Sequence, residues 1–91
     1  MTKTQKQKEV IKRFLTFVEE AFPQYEIDDY GDGGRINFFP SEGSDDDAIE
    51  FQRSRLTLDV LNCASVQAKQ DCEIMEGVLK IIQREVEDIE A

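Results

Sequence analysis

The apolar positions in the last quarter of the chain follow a helical repeat. Between residues 68 and 89 they recur with the alternating spacing of four and three residues that defines a heptad. The members of this repeat are Ala68, Cys72, Met75, Leu79, Ile82, Val86 and Ile89. Ile74, Val78 and Ile81 widen the repeat beyond a single seam. The pattern predicts a long helix that covers the rest of the chain with one side and can meet a second copy with the other.

The N-terminal segment carries a second helical pattern. Its apolar residues share one broad face and comprise Ile11, Phe14, Leu15, Val18, Ala21 and Phe22. Thr4 followed by Gln7 has the form of a capping box, which marks the start of a helix. Pro23 ends the helix, because the residue before a proline disfavours the helical conformation. The five basic residues among the first 13 are assigned to the solvated side of this helix.

Two short segments with alternating polarity predict a hairpin. They cover residues 25–30 and 35–39, and the glycine-rich segment 31–34 lies between them. Glycines supply the positive φ angles that a tight turn requires, so the two segments are expected to pair as antiparallel strands. Pro40 then closes the second strand or places it at a sheet edge.

The segment from 41 to 61 permits several interpretations. Residues 41–47 form a polar, acidic loop, and the alternation in 49–51 and 56–60 favours one or two further strands between 48 and 61. Ser44 and Asp47 also resemble a helix cap, which would start a short helix over 45–53. The long helix has Asn62 or Ser65 as its N-cap residue, or else begins earlier, near Leu58.

These elements predict an α+β fold. It consists of an N-terminal helix, a small antiparallel sheet of three or four strands, and a long C-terminal helix packed on the sheet. With 91 residues, the chain is expected to form one domain over 1–91. A core this thin favours self-association, so we expect a homodimer. The self-associating residues would be Met75, Val78, Leu79, Ile82 and Val86.

The charge of the chain is concentrated in its middle. The formal net charge is −9, which opposes binding to nucleic acid or to an anionic membrane and suits a basic protein surface. Residues 19–50 hold eleven acidic residues and one basic residue, with several aromatic residues among them. Aromatic anchors surrounded by charge are typical of protein interfaces. The expected partner-binding residues are Asp28, Asp29, Tyr30, Asp32, Phe39, Glu42, Asp45, Asp46, Asp47 and Glu50.

The residues that usually carry catalysis and metal binding are scarce. The chain has no histidine, so no imidazole-based dyad or triad can form, and we expect neither an enzyme nor a cofactor. An EF-hand loop starting at Asp28 would require a bidentate glutamate at its twelfth position, where Phe39 stands. The sequence therefore predicts no metal site.

The two cysteines and the lack of long apolar runs bear on location. If Cys63 and Cys72 share one helix, about 13.5 Å of helical rise separates them, which is too far for a disulfide. Reduced thiols fit a cytoplasmic protein. No run of about 18 apolar residues occurs, so no membrane span is expected.

Taken together, these features favour a non-enzymatic, acidic protein-binding module. It would act as an inhibitor or DNA mimic that occupies a basic site on a nucleic-acid-binding protein, as small acidic phage and mobile-element proteins do; this is an analogy of class. The alternative is a structural or adaptor protein that acts through homodimerisation of its C-terminal helix. Reversing Asp45, Asp46 and Asp47 to lysine would impair the first function, whereas Leu79→Glu would impair the second.

Overall fold

The structure, a computed structural model, describes residues 2–30, 34–41, 47–61 and 65–89, and of Tyr30 only the backbone. Its elements follow the order α1 (Lys3–Ala21), β1 (Tyr25–Tyr30), β2 (Arg35–Pro40), β3 (Ile49–Gln52), β4 (Thr57–Val60) and α2 (Val66–Asp88). The predicted α+β class is confirmed, and the described strands number four. Neither described helix is long and apolar enough to cross a membrane.

The four strands form an antiparallel meander in the order β1-β2-β3-β4. The register sets Phe38 opposite Ile49 and Phe51 opposite Leu58. Because side chains alternate between the two sides of a pleated strand, the sheet has an apolar inner face and a polar outer face. The inner face carries Tyr25, Ile27, Ile36, Phe38, Ile49, Phe51, Leu58 and Val60.

Both helices cover the inner face. Phe14 of α1 lies against Phe38 and Phe51, with ring centroids 6.2 and 5.2 Å apart. The heptad side of α2 packs in the same cluster through Cys72, Met75, Leu79, Ile82 and Val86. The outer face carries no comparable layer, since each of its described side chains is exposed or half-buried.

The helix ends differ from the prediction in detail. The capping box is formed by Thr2 and Gln5, and the assignment to Thr4 and Gln7 is wrong. The Gln5 N–H donates to the Thr2 hydroxyl at 3.1 Å and the Thr2 N–H donates to the Gln5 side chain at 2.8 Å. Both threonines precede a glutamine by three residues, and capping by the earlier one extends α1 toward the N-terminus. Ala21, expected on the apolar face, is exposed.

The segment between residues 48 and 61 forms two strands. β3 and β4 replace both the short helix over 45–53 and an early start of the long helix near Leu58, so those two interpretations are wrong. Ser65 caps α2 by accepting a hydrogen bond from the Ala68 N–H at 3.2 Å. Asn62 and Cys63 lie outside the described residues. Since α2 begins at Val66, the argument that both cysteines share one helix no longer applies.

Candidate functional site

A row of polar side chains crosses the outer face at right angles to the strands. The register sets Asn37 beside Asp28 on one side and Glu50 on the other, and it sets Glu50 beside Asp59. We call these four residues the acidic row. Neighbouring strands lie about 4.8 Å apart, so the row spans about 14 Å from one edge of the sheet to the other. Three carboxylates therefore share one line.

The carboxylates of the acidic row have few partners in the described part of the chain. Asp28 and Asp59 are exposed, and neither pairs with a described basic side chain. Glu50 is half-buried and accepts one long hydrogen bond, 3.4 Å, from the Gln52 side chain. The Oδ1 atom of Asn37 is buried and accepts no hydrogen bond from a described residue. The three carboxylates of the row thus carry negative charge that is largely uncompensated.

A second, shorter row lies beside the acidic row. Here Glu26 stands opposite Phe39, which is half-buried and offers an apolar surface next to the carboxylates. On the other side of the acidic row, Arg35 is the basic residue that the described strands place on the outer face. Four acidic residues therefore outnumber Arg35, and the outer face is negative. They are Glu26, Asp28, Glu50 and Asp59.

The structure brings together some of the predicted partner-binding residues. Asp28, Phe39 and Glu50 share the outer face. Asp29 has the inward parity and forms an ion pair with Arg53 at the end of the sheet. The backbone of Tyr30 belongs to β1, but its side chain lies outside the described part. The other four predicted residues lie wholly outside the described part; they are Asp32, Glu42, Asp45 and Asp46.

Asp47, another predicted partner-binding residue, has a structural role. One of its carboxylate oxygens accepts a hydrogen bond from the Ser65 N–H at 2.8 Å, so it ties the start of β3 to the N-terminus of α2. A reversal of Asp47 to lysine would remove this contact as well as a negative charge. Substitutions in the acidic row are therefore the cleaner test of an electrostatic interface.

Two acidic contributors to the outer face, Glu26 and Asp59, were not among the predicted site residues, and neither was Asn37. Glu26 has the same strand parity as Asp28, and this alternation was a usable signal. Asp59 joins the row through the pairing of β4 with β3, which a single sequence does not reveal.

The residues predicted to mediate self-association lie mostly inside one copy. Met75, Leu79, Ile82 and Val86 are buried against the sheet and α1, and Val78 is half-buried. The four buried residues are not available to a second chain in this fold. The prediction that they form a self-association surface is therefore corrected.

A buried polar network joins β1 to α2. The Tyr25 hydroxyl donates to one carboxylate oxygen of Asp71 at 2.7 Å, and the Gln67 side chain donates to the other at 2.9 Å. Burial and the hydrogen bond to Asp71 raise the pKa of Tyr25, so the phenol stays protonated and remains a donor. The network borders a cleft of about 300 Å³ that Asp47 and Ser65 also line. Since both Asp71 oxygens already accept a hydrogen bond within the fold, the network has the character of a structural clamp.

We expect Tyr25→Phe to lower the free energy of unfolding by about 1–3 kcal/mol, because the buried Asp71 loses one of its two donors. Urea unfolding of the wild type and the variant measures the change. Asp71→Ala completes a double-mutant cycle, because alanine has no acceptor for the Tyr25 hydroxyl, and the cycle isolates the pair from the rest of the network. A coupling energy near zero would show that the hydrogen bond does not hold β1 to α2.

Cys72 is a buried thiol, as the heptad pattern predicted. Burial, with a smaller effect from the Glu76 carboxylate, raises the pKa of Cys72 from 9.0 to about 12. The neutral thiol is therefore favoured in the folded chain over a wide pH range, and the group is a poor nucleophile.

Stability should therefore decline in alkaline solution. Well below pH 9.0 the thiol is protonated in both states. As the pH passes through 9.0 the unfolded chain ionises first, so the free energy of unfolding falls until about pH 12. The slope for this one group is up to about 1.4 kcal/mol per pH unit. Urea unfolding between pH 8 and pH 11 should show a shallower decline for Cys72→Ala than for the wild type; equal slopes would contradict the assignment.

Among the described residues, no group of three or more potential ligands is placed to hold a metal ion. Comparisons with protein-family models, with curated proteins and with solved structures found no match for this chain. The geometry of the outer face is therefore the basis on which a function can be proposed.

Proposed function

We propose that the protein is a non-enzymatic binding module whose outer sheet face occupies a basic site on a partner protein. The observation that carries the proposal is the acidic row, in which Asp28, Glu50 and Asp59 align across the open side of the sheet. Arginine and lysine side chains form their strongest hydrogen bonds with carboxylates. A basic surface is thus the chemistry that this face fits.

Phe39 supports the choice of a protein as the partner. It is half-buried next to Glu26 on the same face, so an approaching surface would meet an aromatic ring as well as charge. Interfaces combine apolar anchors with charges that steer the encounter and set the orientation.

The arrangement of charges within the row also favours binding over simple solubility. Glu50 and Asp59 stand directly opposite each other on neighbouring strands. Such like-charge pairs destabilise a sheet by up to about 1 kcal/mol, whereas mixed charges would keep the face equally soluble without that cost. A basic partner would relieve the repulsion.

Carboxylates in a line can take the place of nucleic-acid phosphates. A partner that holds DNA or RNA in a basic groove would then bind this protein and the nucleic acid in competition, so the protein would act as an inhibitor. By analogy of class, such an inhibitor would resemble the small acidic proteins of phages and mobile elements, and it would act in the cytoplasm.

The salt dependence of binding tests this proposal. Affinity for a partner recovered from cell lysate should fall steeply as salt is raised, because screening weakens contacts between exposed charges. Nucleic acid added to the complex should displace the protein. Binding that is insensitive to salt, or a stable ternary complex with nucleic acid, would contradict the proposal.

An adaptor function through α2 is the second candidate. Ile74 and Ile81 are more than half exposed on this helix, which leaves an apolar surface after the core is formed. Leu79→Glu cannot test that function, because Leu79 is buried and its replacement would unfold the chain. The exposed isoleucines are the residues to change.

A further inference from the structure

Four large apolar side chains are exposed along α2 and its C-terminal cap. They are Val66, Ile74, Ile81 and Ile89, with exposed fractions of 71, 54, 58 and 50%. Ile74 and Ile81 lie about 20° apart around the helix axis, whereas Val66 and Ile89 lie about 70° to either side of them. We call Ile74 and Ile81 the exposed stripe. Since α2 packs on the inner face, the stripe lies on the helical side of the molecule, away from the acidic row. Its position makes it independent of the proposed binding face.

The exposed stripe is symmetric along the helix. Ile74 and Ile81 lie equally far from the midpoint between Gly77 and Val78, and so do Val66 and Ile89. A second α2 laid antiparallel across this midpoint would set Ile74 against the partner's Ile81, whereas Val66 and the partner's Ile89 would lie at the same height on opposite sides of the seam. The isoleucine pairing then occurs twice, which is the self-complementarity that a two-fold interface requires.

Gly77 stands at the centre of this symmetric pattern. A Cβ atom added there would meet nothing within 4 Å, so the fold of one copy gives no steric reason for a glycine. A glycine inside a helix costs about 1 kcal/mol relative to alanine. Its usual compensation is the close approach of another backbone, which a helix crossing at this point would provide.

The charges beside the exposed stripe are self-complementary in the same register. Glu73, Lys80 and Arg84 are exposed and lie along one flank of the stripe. In the antiparallel pairing, Glu73 falls between the partner's Lys80 and the partner's Arg84, about 3 Å along the axis from each. A parallel two-fold pairing would instead set this flank against the partner's opposite flank, so Glu73 would meet neither of these basic residues. The flank therefore selects the antiparallel orientation.

We propose that the chain forms a two-fold symmetric dimer through antiparallel packing of α2 along the exposed stripe. The seam is one helix long, about 35 Å, so the dimer is concentration-dependent rather than obligate. Because the stripe faces away from the sheet, both outer faces remain open in the dimer. Each dimer would then carry two acidic rows, directed to opposite sides.

Sedimentation velocity over a range of concentrations tests the dimer. The wild type should pass from monomer to dimer, and Ile81→Glu should raise the dissociation constant by roughly tenfold or more, since it places a charge in the seam. Thr57→Glu is the matched control, because it adds the same charge at an exposed position of β4. Circular dichroism checks that both variants are folded. A monomeric wild type, or a dimer that Ile81→Glu leaves unchanged, would overturn the proposal.

Charge exchange tests the register. Glu73→Lys and the double variant Lys80→Glu/Arg84→Glu should each dimerise more weakly than the wild type, because each places like charges on the flank. An equimolar mixture of the two should form a mixed dimer, since opposite charges then face each other throughout. Failure of the mixture to associate would overturn the register.

Cross-linking tests the orientation. In a chain whose native cysteines are replaced, Ile74→Cys mixed with Ile81→Cys should give a disulfide-linked mixed dimer. Neither variant alone should cross-link efficiently, because like positions lie about 10 Å apart along the axis. Efficient cross-linking of each variant with itself would show a parallel dimer and overturn the proposal.

Discussion

Replacement of Phe14 by alanine is expected to lower the free energy of unfolding by about 3–5 kcal/mol. Phe14 is fully buried and stands between the layers, where it contacts Phe38 and Phe51 of the sheet and Phe17 of its own helix. Its removal would leave a cavity that three other rings surround, and the rigid sheet can collapse into that cavity only in part.

A loss of this size would leave little of the stability of so small a domain, which is typically about 5–15 kcal/mol. Urea unfolding followed by circular dichroism measures it. Phe39→Ala is the matched control, because the same side chain is removed from the half-buried outer face. We expect its cost to be well below that of Phe14→Ala. Equal costs for the two variants would contradict the assignment of inner and outer faces.

Reversal of the acidic row should abolish partner binding. Changing Asp28, Glu50 and Asp59 to lysine places three positive charges where the partner's basic side chains would lie. Like-charge contacts at an interface cost several kcal/mol, so affinity should fall by about 10²–10³-fold or more. The fold should tolerate the change, because one row of like charges replaces another and surface substitutions usually alter stability by less than about 0.5 kcal/mol.

A matched control separates the position of the charges from their total. Glu19, Glu20 and Glu87 are exposed on the two helices, away from the outer face. Their reversal to lysine takes the formal net charge from −9 to −3, as reversal of the row does. We expect the helix variant to keep most of its affinity, with a modest loss from weaker long-range steering.

The fold could be predicted where a local signal was strong. The heptad of α2, and the alternating residues 25–30 and 35–39 around a glycine-rich segment, each specify an element from nearby residues alone. The alternation in 49–51 and 56–60 indicated strands between 48 and 61, but no local signal showed how they divide. Leu56, in the connection between β3 and β4, has a φ of +53°, a conformation that glycine or asparagine usually marks. A leucine gives no indication of a turn there.

The candidate site was predictable in part for the same reason. Strand alternation points to Asp28, Phe39 and Glu50, but the pairing of β3 with β4 is needed to add Asp59. The burial of Asp71, by contrast, could not be predicted from its sequence neighbours. It sits on a helix rich in acidic residues, and its burial depends on a hydroxyl 46 positions earlier in the chain. Contacts over such separations arise from the tertiary fold, which local patterns do not encode.

The most direct test of the acidic row compares three chains against one partner. The wild type, the row reversal and the helix reversal are each titrated with a partner that the wild type recovers from cell lysate, at low and at high salt. We predict strong, salt-sensitive binding for the wild type, binding close to it for the helix reversal, and none for the row reversal. Equal binding by all three chains, or equal loss in both reversals, would contradict a specific role of the acidic row.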